Sequence, residues 1–316
     1  MAREDVLLSE MPGLGGLYAK GARHSAQLMR QHRQDGSVGD LPDVAHTVGG
    51  VRFDPAQLTD YQHLLGEAGR DAAPAGFVHV AAFPVATSVM VREDFPLPLL
   101  GMVHLANRIE QFAPVFLGEK FDVQAWAQDL RGHRRGALVD VVAEVRVGGD
   151  VRWRGISTYL AKGISVPYAD QSGVRNGESE RNTDRPPQSG LWRLPATLGR
   201  EYGAVSGDRN PIHMSALSAK ALGFPRAIAH GMYTAARALA VIGPERGDAF
   251  VWTVDFAKPV LLPGTVAFGL ERGSAGDAEA SKGSETATDA QEEWRYAGWH
   301  PKKRDLHFTG NVRQIA

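Results

Sequence analysis

Apolar residues recur at every second position in several stretches of the chain. Phe250, Trp252, Val254 and Phe256 form one such run, and Val266, Phe268 and Leu270 another. Val139, Val141, Ala143, Val145 and Val147 do the same in the first half. A period of two puts one face of a strand on a core, so these runs predict sheet. Further strands are expected at EWRYAGW (293–299) and DLHFTGNVR (305–313), after a polar tract at 273–290 that reads as a mobile hairpin loop. Residues 231–242, GMYTAARALAVI, break the pattern: Met232, Ala235, Ala236, Leu239 and Ile242 follow helical spacing, and Gly243-Pro244 ends them. A helix nearly apolar all round must be wrapped. The expectation is an α+β fold in which a curved antiparallel sheet rolls around a buried helix.

The same order of elements occurs twice. A helical pattern carries Tyr61 in one half and Tyr202 in the other, and an apolar segment follows, opened by His79 or His230. Next comes a strand-like run ending in QFAPVFLGE (111–119) or FAKPVLLPGT (256–265), and long alternating strands close each half. Between them, residues 169–190 are polar and rich in Gly, Pro and Ser, as a linker is. The predicted division is 1–168, a linker at 169–190, and 191–316, with the halves paired as a pseudo-dimer.

Composition narrows the function by exclusion. A net charge of −1 offers no field for nucleic acid or an anionic membrane. No cysteine is present, which excludes disulfides, thiol nucleophiles and Cys-ligated metals. The first twenty residues lack the features of a signal peptide, and no apolar run approaches a membrane span. The chain reads as cytoplasmic.

Candidate chemistry concentrates between Tyr202 and Met232, YGAVSGDRNPIHMSALSAKALGFPRAIAHGM. Gly207 permits a tight turn, and Pro211 stiffens the bend that brings Asp208 and His213 toward one volume. A short helix is expected next, capped by Ser215, with Met214, Leu217, Ala221 and Leu222 as its apolar stripe and Gly223 as its stop. At His230-Gly231 the buried helix begins, and its first N–H groups have no intrahelical partner. A carboxylate, an imidazole and an oxyanion-binding backbone are thereby offered together.

These residues resemble the signature of the MaoC-like, (R)-specific enoyl-CoA hydratases (hydratase 2), in their two-repeat, double hot-dog form. The resemblance is close over about 201–265 and extends elsewhere by layout. It implies a double hot-dog fold, two curved antiparallel sheets each around a central helix, and reversible hydration of trans-2-enoyl thioesters to (R)-3-hydroxyacyl thioesters. Asp208 and His213 match the catalytic pair, Gly231 the glycine whose N–H binds the thioester oxygen, and Asn210 a supporting hydrogen-bonder. Tyr202, Ser206 and His230 read as bracing residues, His230 capping or packing at the helix start. The first half lacks the motif, with Val80 where the glycine should stand, so one site per chain is expected. The substrate would be an acyl-CoA or acyl-carrier-protein thioester, no cofactor would be needed, and two chains could associate further as a homodimer.

Other readings compete. A hot-dog thioesterase would aim water at the carbonyl, and the Asp-x-Asn-Pro-x-His segment argues against it; a binding subunit would have lost activity, and the intact Asp208/His213 pair argues against that. Asp208, His213 and His230 could form a metal set, but their spacing fits no familiar ligand pattern. GLGG at 13–16 lacks the full dinucleotide fingerprint. His79 and His104 read as core or edge histidines.

Overall fold

The computed structural model describes residues 3–35, 38–164, 166, 185–274 and 292–315. In chain order the first half holds β1 (Glu4–Leu7), α1 (Leu14–Asp35), β2 (Val44–Val51), α2 (Pro55–Leu65), α3 (Ala75–Met90), β3 (Met102–Gln111), β4 (Phe121–His133), β5 (Gly136–Val147) and β6 (Asp150–Lys162). The second holds β7 (Gln188–Leu194), α4 (Leu198–Ser206), α5 (Pro211–Met214), α6 (Ala216–Ala221), α7 (Gly231–Ile242), β8 (Phe250–Phe256), β9 (Gly264–Ser274), β10 (Glu292–Trp299) and β11 (Leu306–Gln314). The alternating runs became β5, β8 and β9, and both late strands formed where their patterns placed them.

Strand order exposes the duplication. The described strands make one sheet, β1-β2-β4-β5-β6-β3-β8-β11-β10-β9-β7. Leaving out β1, the two halves read as mirror images across the β3–β8 seam. That seam is antiparallel, in register from Ala106↔Asp255 to Gln111↔Phe250. The two expected sheets are therefore continuous, because each curved sheet ends in a strand whose unpaired backbone groups the other half satisfies. β1 adds a parallel pair with β2 at the far edge.

Each half wraps a central helix. α3 packs on β2, β4, β5 and β6, and α7 packs on β11, α2 and α3. The two central helices meet where a side chain on Gly76 would lie 3.1 Å from the Ala236 methyl and closer still to the Tyr61 hydroxyl. Val78, Ala82, Val85 and Val89 of α3, and Ala235, Ala238 and Leu239 of α7, are fully buried. A helix dressed in Ala and Val fits inside a curled sheet without overpacking it. Among the described residues no helix is long and apolar enough to cross a membrane.

Several boundaries differ from the sequence expectations. Residues 169–184 of the polar tract lie outside the described residues, and its last three, 188–190, open β7 instead of continuing a linker. The expected loop at 273–290 lies outside them from 275 on. The apolar helix of the first half starts at Ala75 rather than His79, so Val80 is not the positional match of Gly231. Pro74 fixes that earlier start. α6 carries its apolar stripe outward: Leu217 is 82% exposed, Leu222 is exposed, and Ala219 alone is fully buried. GLGG turned out to lead into α1, a helix that the periodicity had not suggested.

Candidate active site

Residues 207–214 lie against α4 because α4 has no side chains in the way. A Cβ on Gly199 would sit 2.0 Å from the His213 carbonyl oxygen, and one on Gly203 would sit 2.9 Å from that of Asp208. Gly207 then ends α4 in the left-handed region, φ +74°, turning the chain sharply into Asp208. Asn210 caps α5, its side-chain oxygen accepting from the Ile212 N–H at 3.4 Å, with Pro211 at the first helical position. Gly199→Ala is expected to displace His213 and lower kcat by about 10²-fold while the fold persists. Steady-state kinetics beside a thermal melt would check this, and an unimpaired variant would show that the loop can move without cost.

The supporting residues hold this bend from both sides. The Ser206 hydroxyl donates to the Tyr202 carbonyl at 2.7 Å and accepts the Asp208 N–H at 3.2 Å. His230 stands at the N-cap of α7, yet its side chain caps nothing. Instead its Nε2 donates to the Asp208 carbonyl at 3.0 Å, and its ring stacks on His213 with centroids 3.6 Å apart. Tyr202 packs 4.9 Å from the His230 ring.

Protonation follows from these partners. The His213 Nδ1 lies 2.8 Å from the Ile228 carbonyl, which can only accept, so Nδ1 carries the proton and Nε2 keeps a lone pair. Burial pushes the His213 pKa below its usual value despite the nearby Asp208. Burial and His213 together push His230 down to about 3. Both imidazoles are neutral at pH 7. Burial works against the Asp208 carboxylate, but His230, His213, the Tyr18 hydroxyl and the Asn210 N–H outweigh it, leaving its pKa below the ordinary value. The ionised carboxylate thus stands beside a neutral imidazole with a free acceptor nitrogen.

Asp208, His213 and His230 bring one ligand-type atom each within 4.8 Å of one another, the one such trio among the described residues. Stacking sets the two imidazole planes 25° apart, so their in-plane lone pairs run side by side. A single ion needs them to converge at about 2.0–2.1 Å, and this geometry does not suit one.

Gly231 opens α7, so its N–H has no intrahelical acceptor. The Phe256 ring presses on it, 3.0 Å from where a Cβ would be. Behind Phe256 the first half takes over. The His104 ring is 5.2 Å from Phe256 and 4.7 Å from Tyr159, and His79 lies 6.5 Å from His104. Burial lowers His79 to about 4 and His104 to about 3, while Asp208 acts on both in the opposite direction. A small cavity between α3 and the sheet, lined by His79, Phe83, Val141, Trp153 and Tyr159, adjoins this group. Of the two histidines read as core or edge residues, His79 is buried and His104 half-buried, and both lie on the far side of Phe256 from Gly231.

The first half repeats part of this local geometry. α2 ends in left-handed Gly66 followed by Glu67, as α4 ends in Gly207 followed by Asp208. Glu67 is ion-paired with Arg246 at 3.2 Å, and no short helix separates α2 from α3.

One further residue reaches the carboxylate. The Tyr18 hydroxyl, on α1, donates to Asp208 Oδ1 at 2.5 Å. The signal for α1 was faint: Leu14, Tyr18, Gly21, Ser25 and Leu28 share one helical face, but Gly and Ser interrupt its apolar character.

A sheet curled around a buried helix, duplicated and fused edge to edge, defines a double hot-dog protein. Residues 184–294 match the family described as MaoC like domain. Over 236 residues the chain is 37% identical to 3-hydroxyacyl-thioester dehydratase X of Mycobacterium tuberculosis, covering 75% of this chain and 83% of that protein. A crystal structure of that protein, HtdX, superposes with a TM-score of 0.69 at 32% identity, covering 86% of this chain and 100% of the other. A shorter match, 40% identity over 65 residues, covers 19% of this chain and 41% of a 3-hydroxybutyryl-CoA dehydratase of Methylorubrum extorquens. The chain belongs to the MaoC-like dehydratase family.

Proposed function

We propose that this protein catalyses the reversible hydration of trans-2-enoyl thioesters to (R)-3-hydroxyacyl thioesters, with the acyl group carried on CoA or an acyl carrier protein. Its relatives are named as dehydratases of hydroxyacyl thioesters. The observation that carries the reading to particular residues is the pairing of an ionised Asp208 with a neutral His213, whose Nε2 is free, beside the start of α7.

Water held between Asp208 and His213 loses one proton to the pair as its oxygen adds to C3. Electron density moves through the double bond onto the thioester oxygen, where the Gly231 N–H stabilises the enolate, an effect of ~10²–10³-fold for one donor. The proton taken from water is returned to C2, so the pair ends the turnover as it began. Dehydration is the same path reversed. No step draws on a metal or a redox group. Asn210 supports the site through its cap and its N–H on Asp208, and Tyr202, Ser206 and His230 hold the loop.

We assign one site to each chain, in 191–316, with 1–168 as the degenerate repeat and 169–190 as the connection. The loss of Asp-x-Asn-Pro-x-His and the ion-paired Glu67 support this division. Such chains could pair as homodimers, and thioester substrates of this kind suit a cytoplasmic enzyme.

The test is crotonyl-CoA. The conjugated enoyl absorbance should fall without release of free CoA, and the product should be inert to an (S)-specific 3-hydroxyacyl-CoA dehydrogenase. Free CoA would mean a thioesterase, and complete oxidation by the (S)-specific enzyme would reverse the stereochemical assignment.

A further inference from the structure

We propose that Tyr18 is a positioning residue for this reaction, its hydroxyl holding one oxygen of Asp208 so that the other is left to act as the base. The proposal rests on the function given above. α1 lies outside both sheet-and-helix units, and its placement is specific. A side chain at Gly21 would run into Leu99 at 2.6 Å, so this glycine lets α1 settle on the first half. One turn before Tyr18, Leu14 Cδ1 lies 3.2 Å from where Gly207 would carry a Cβ, directly at the bend into Asp208. The helix thus bridges from the first half to the catalytic loop of the second.

The division of labour between the two carboxylate oxygens is visible in the distances. Oδ1 accepts from the Tyr18 hydroxyl at 2.5 Å and from the Asn210 N–H at 3.1 Å. The first is in the range of a short, charge-assisted bond. Oδ2 lies 3.7 Å from His230 Nε2, beyond hydrogen-bond range, and that N–H is already donated to the Asp208 carbonyl. Tyr18 must be the donor, because burial and the Asp208 charge hold its phenol protonated.

Both hydrogen bonds to the carboxylate fall on Oδ1, and they add to His230 and His213 in offsetting its burial. The groups facing Asp208 are Tyr18 from α1, Tyr202 from α4, His213 from α5 and His230 at the start of α7. From the first half come His79, His104 and Tyr159. Of these, Tyr18 is the one whose side chain donates a hydrogen bond to the carboxylate. Removing its hydroxyl raises the carboxyl pKa.

Tyr18→Phe in the full chain keeps the ring and deletes the donor. With crotonyl-CoA, kcat is expected to fall about tenfold to hundredfold, as for a lost bond to a charged group, with KM little changed. The acid limb of kcat/KM against pH should move to higher pH. Lys20→Ala, on the exposed side of α1, should keep the wild-type profile. The Asp208 carboxyl can also be titrated without substrate, by its ¹³Cγ shift in aspartate-labelled protein, with Asp208→Asn assigning the resonance. Its midpoint should rise in Tyr18→Phe. An inactive wild-type enzyme in which that midpoint still rises would sink the functional reading and leave the Tyr18–Asp208 link standing. An unmoved midpoint would overturn the proposal, as would a faster Tyr18→Phe enzyme, which would make the phenol a plug in the water's place.

Discussion

Asp208→Asn is expected to lower kcat for enoyl-thioester hydration by about 10²-fold or more, within the usual reach of general acid–base catalysis. The substitution is isosteric, and the amide oxygen can still accept from Tyr18 and Asn210 at the Oδ1 position. What changes is the second atom: an NH₂ group, which cannot take a proton, replaces the oxygen assigned as the base. His213→Ala should cost a similar factor in kcat by a different route. It removes the acceptor Nε2 and also leaves the buried Ile228 carbonyl without its partner, at roughly 1–3 kcal/mol of stability. Thermal melts should therefore separate the two variants, with Asp208→Asn near wild type and His213→Ala lower. Because one proton serves both groups, the double variant should be little worse than the worse single one. Turnover near the wild-type rate in a folded Asp208→Asn protein would remove the carboxylate from the mechanism.

What the sequence disclosed and what it hid divide along physical lines. Strands with one face on a core announce themselves by period two, which is why β5, β8 and β9 fell where Val139–Val147, Phe250–Phe256 and Val266–Leu270 alternate. α7 was legible because a run with almost no charge must be enclosed. The loop from Asp208 to His213 was legible because its chemistry is local: Gly207, Pro211 and the ends of two short helices fix it within a few residues. α1 was hidden because its inward face is partly Gly and Ser, chosen for close approach and not for burial of oil. The α6 stripe misled for the opposite reason, since Leu217 and Leu222 are apolar and yet face outward. Contacts of long range left no local trace at all. Tyr18 is 190 positions from Asp208, and nothing near either residue records the pairing. The same holds for His104 and Tyr159 beside Phe256, which the β3–β8 seam brings together.

That dependence on distant residues sets the last expectation: the catalytic half alone should be nearly inactive. A fragment spanning 185–316 keeps β7 whole and retains Asp208, His213 and Gly231. It loses the partner of β8 along the seam, leaving a long open edge of the kind that drives self-association. It uncovers α7 where α3 and α2 now pack on it. The loop before Asp208 loses the Gln57 side chain, which donates to the Val205 carbonyl at 2.7 Å, and Arg246 loses Glu67. Asp208 also loses Tyr18, and Phe256, which lies against Gly231, loses the His104 ring with Tyr159 and His79 beyond it. The first half has no counterpart to α5 and α6 between α2 and α3. We propose that this shorter connection admits a longer acyl chain than a symmetric pair of repeats would. The fragment should be insoluble or self-associated on size-exclusion chromatography, with turnover down by about 10²-fold or more, since misplaced catalytic groups alone cost that much. Adding separately produced 1–168 should restore part of the activity. A stable monomeric fragment with full turnover on short and long enoyl chains alike would show that the first half neither completes the site nor shapes its specificity.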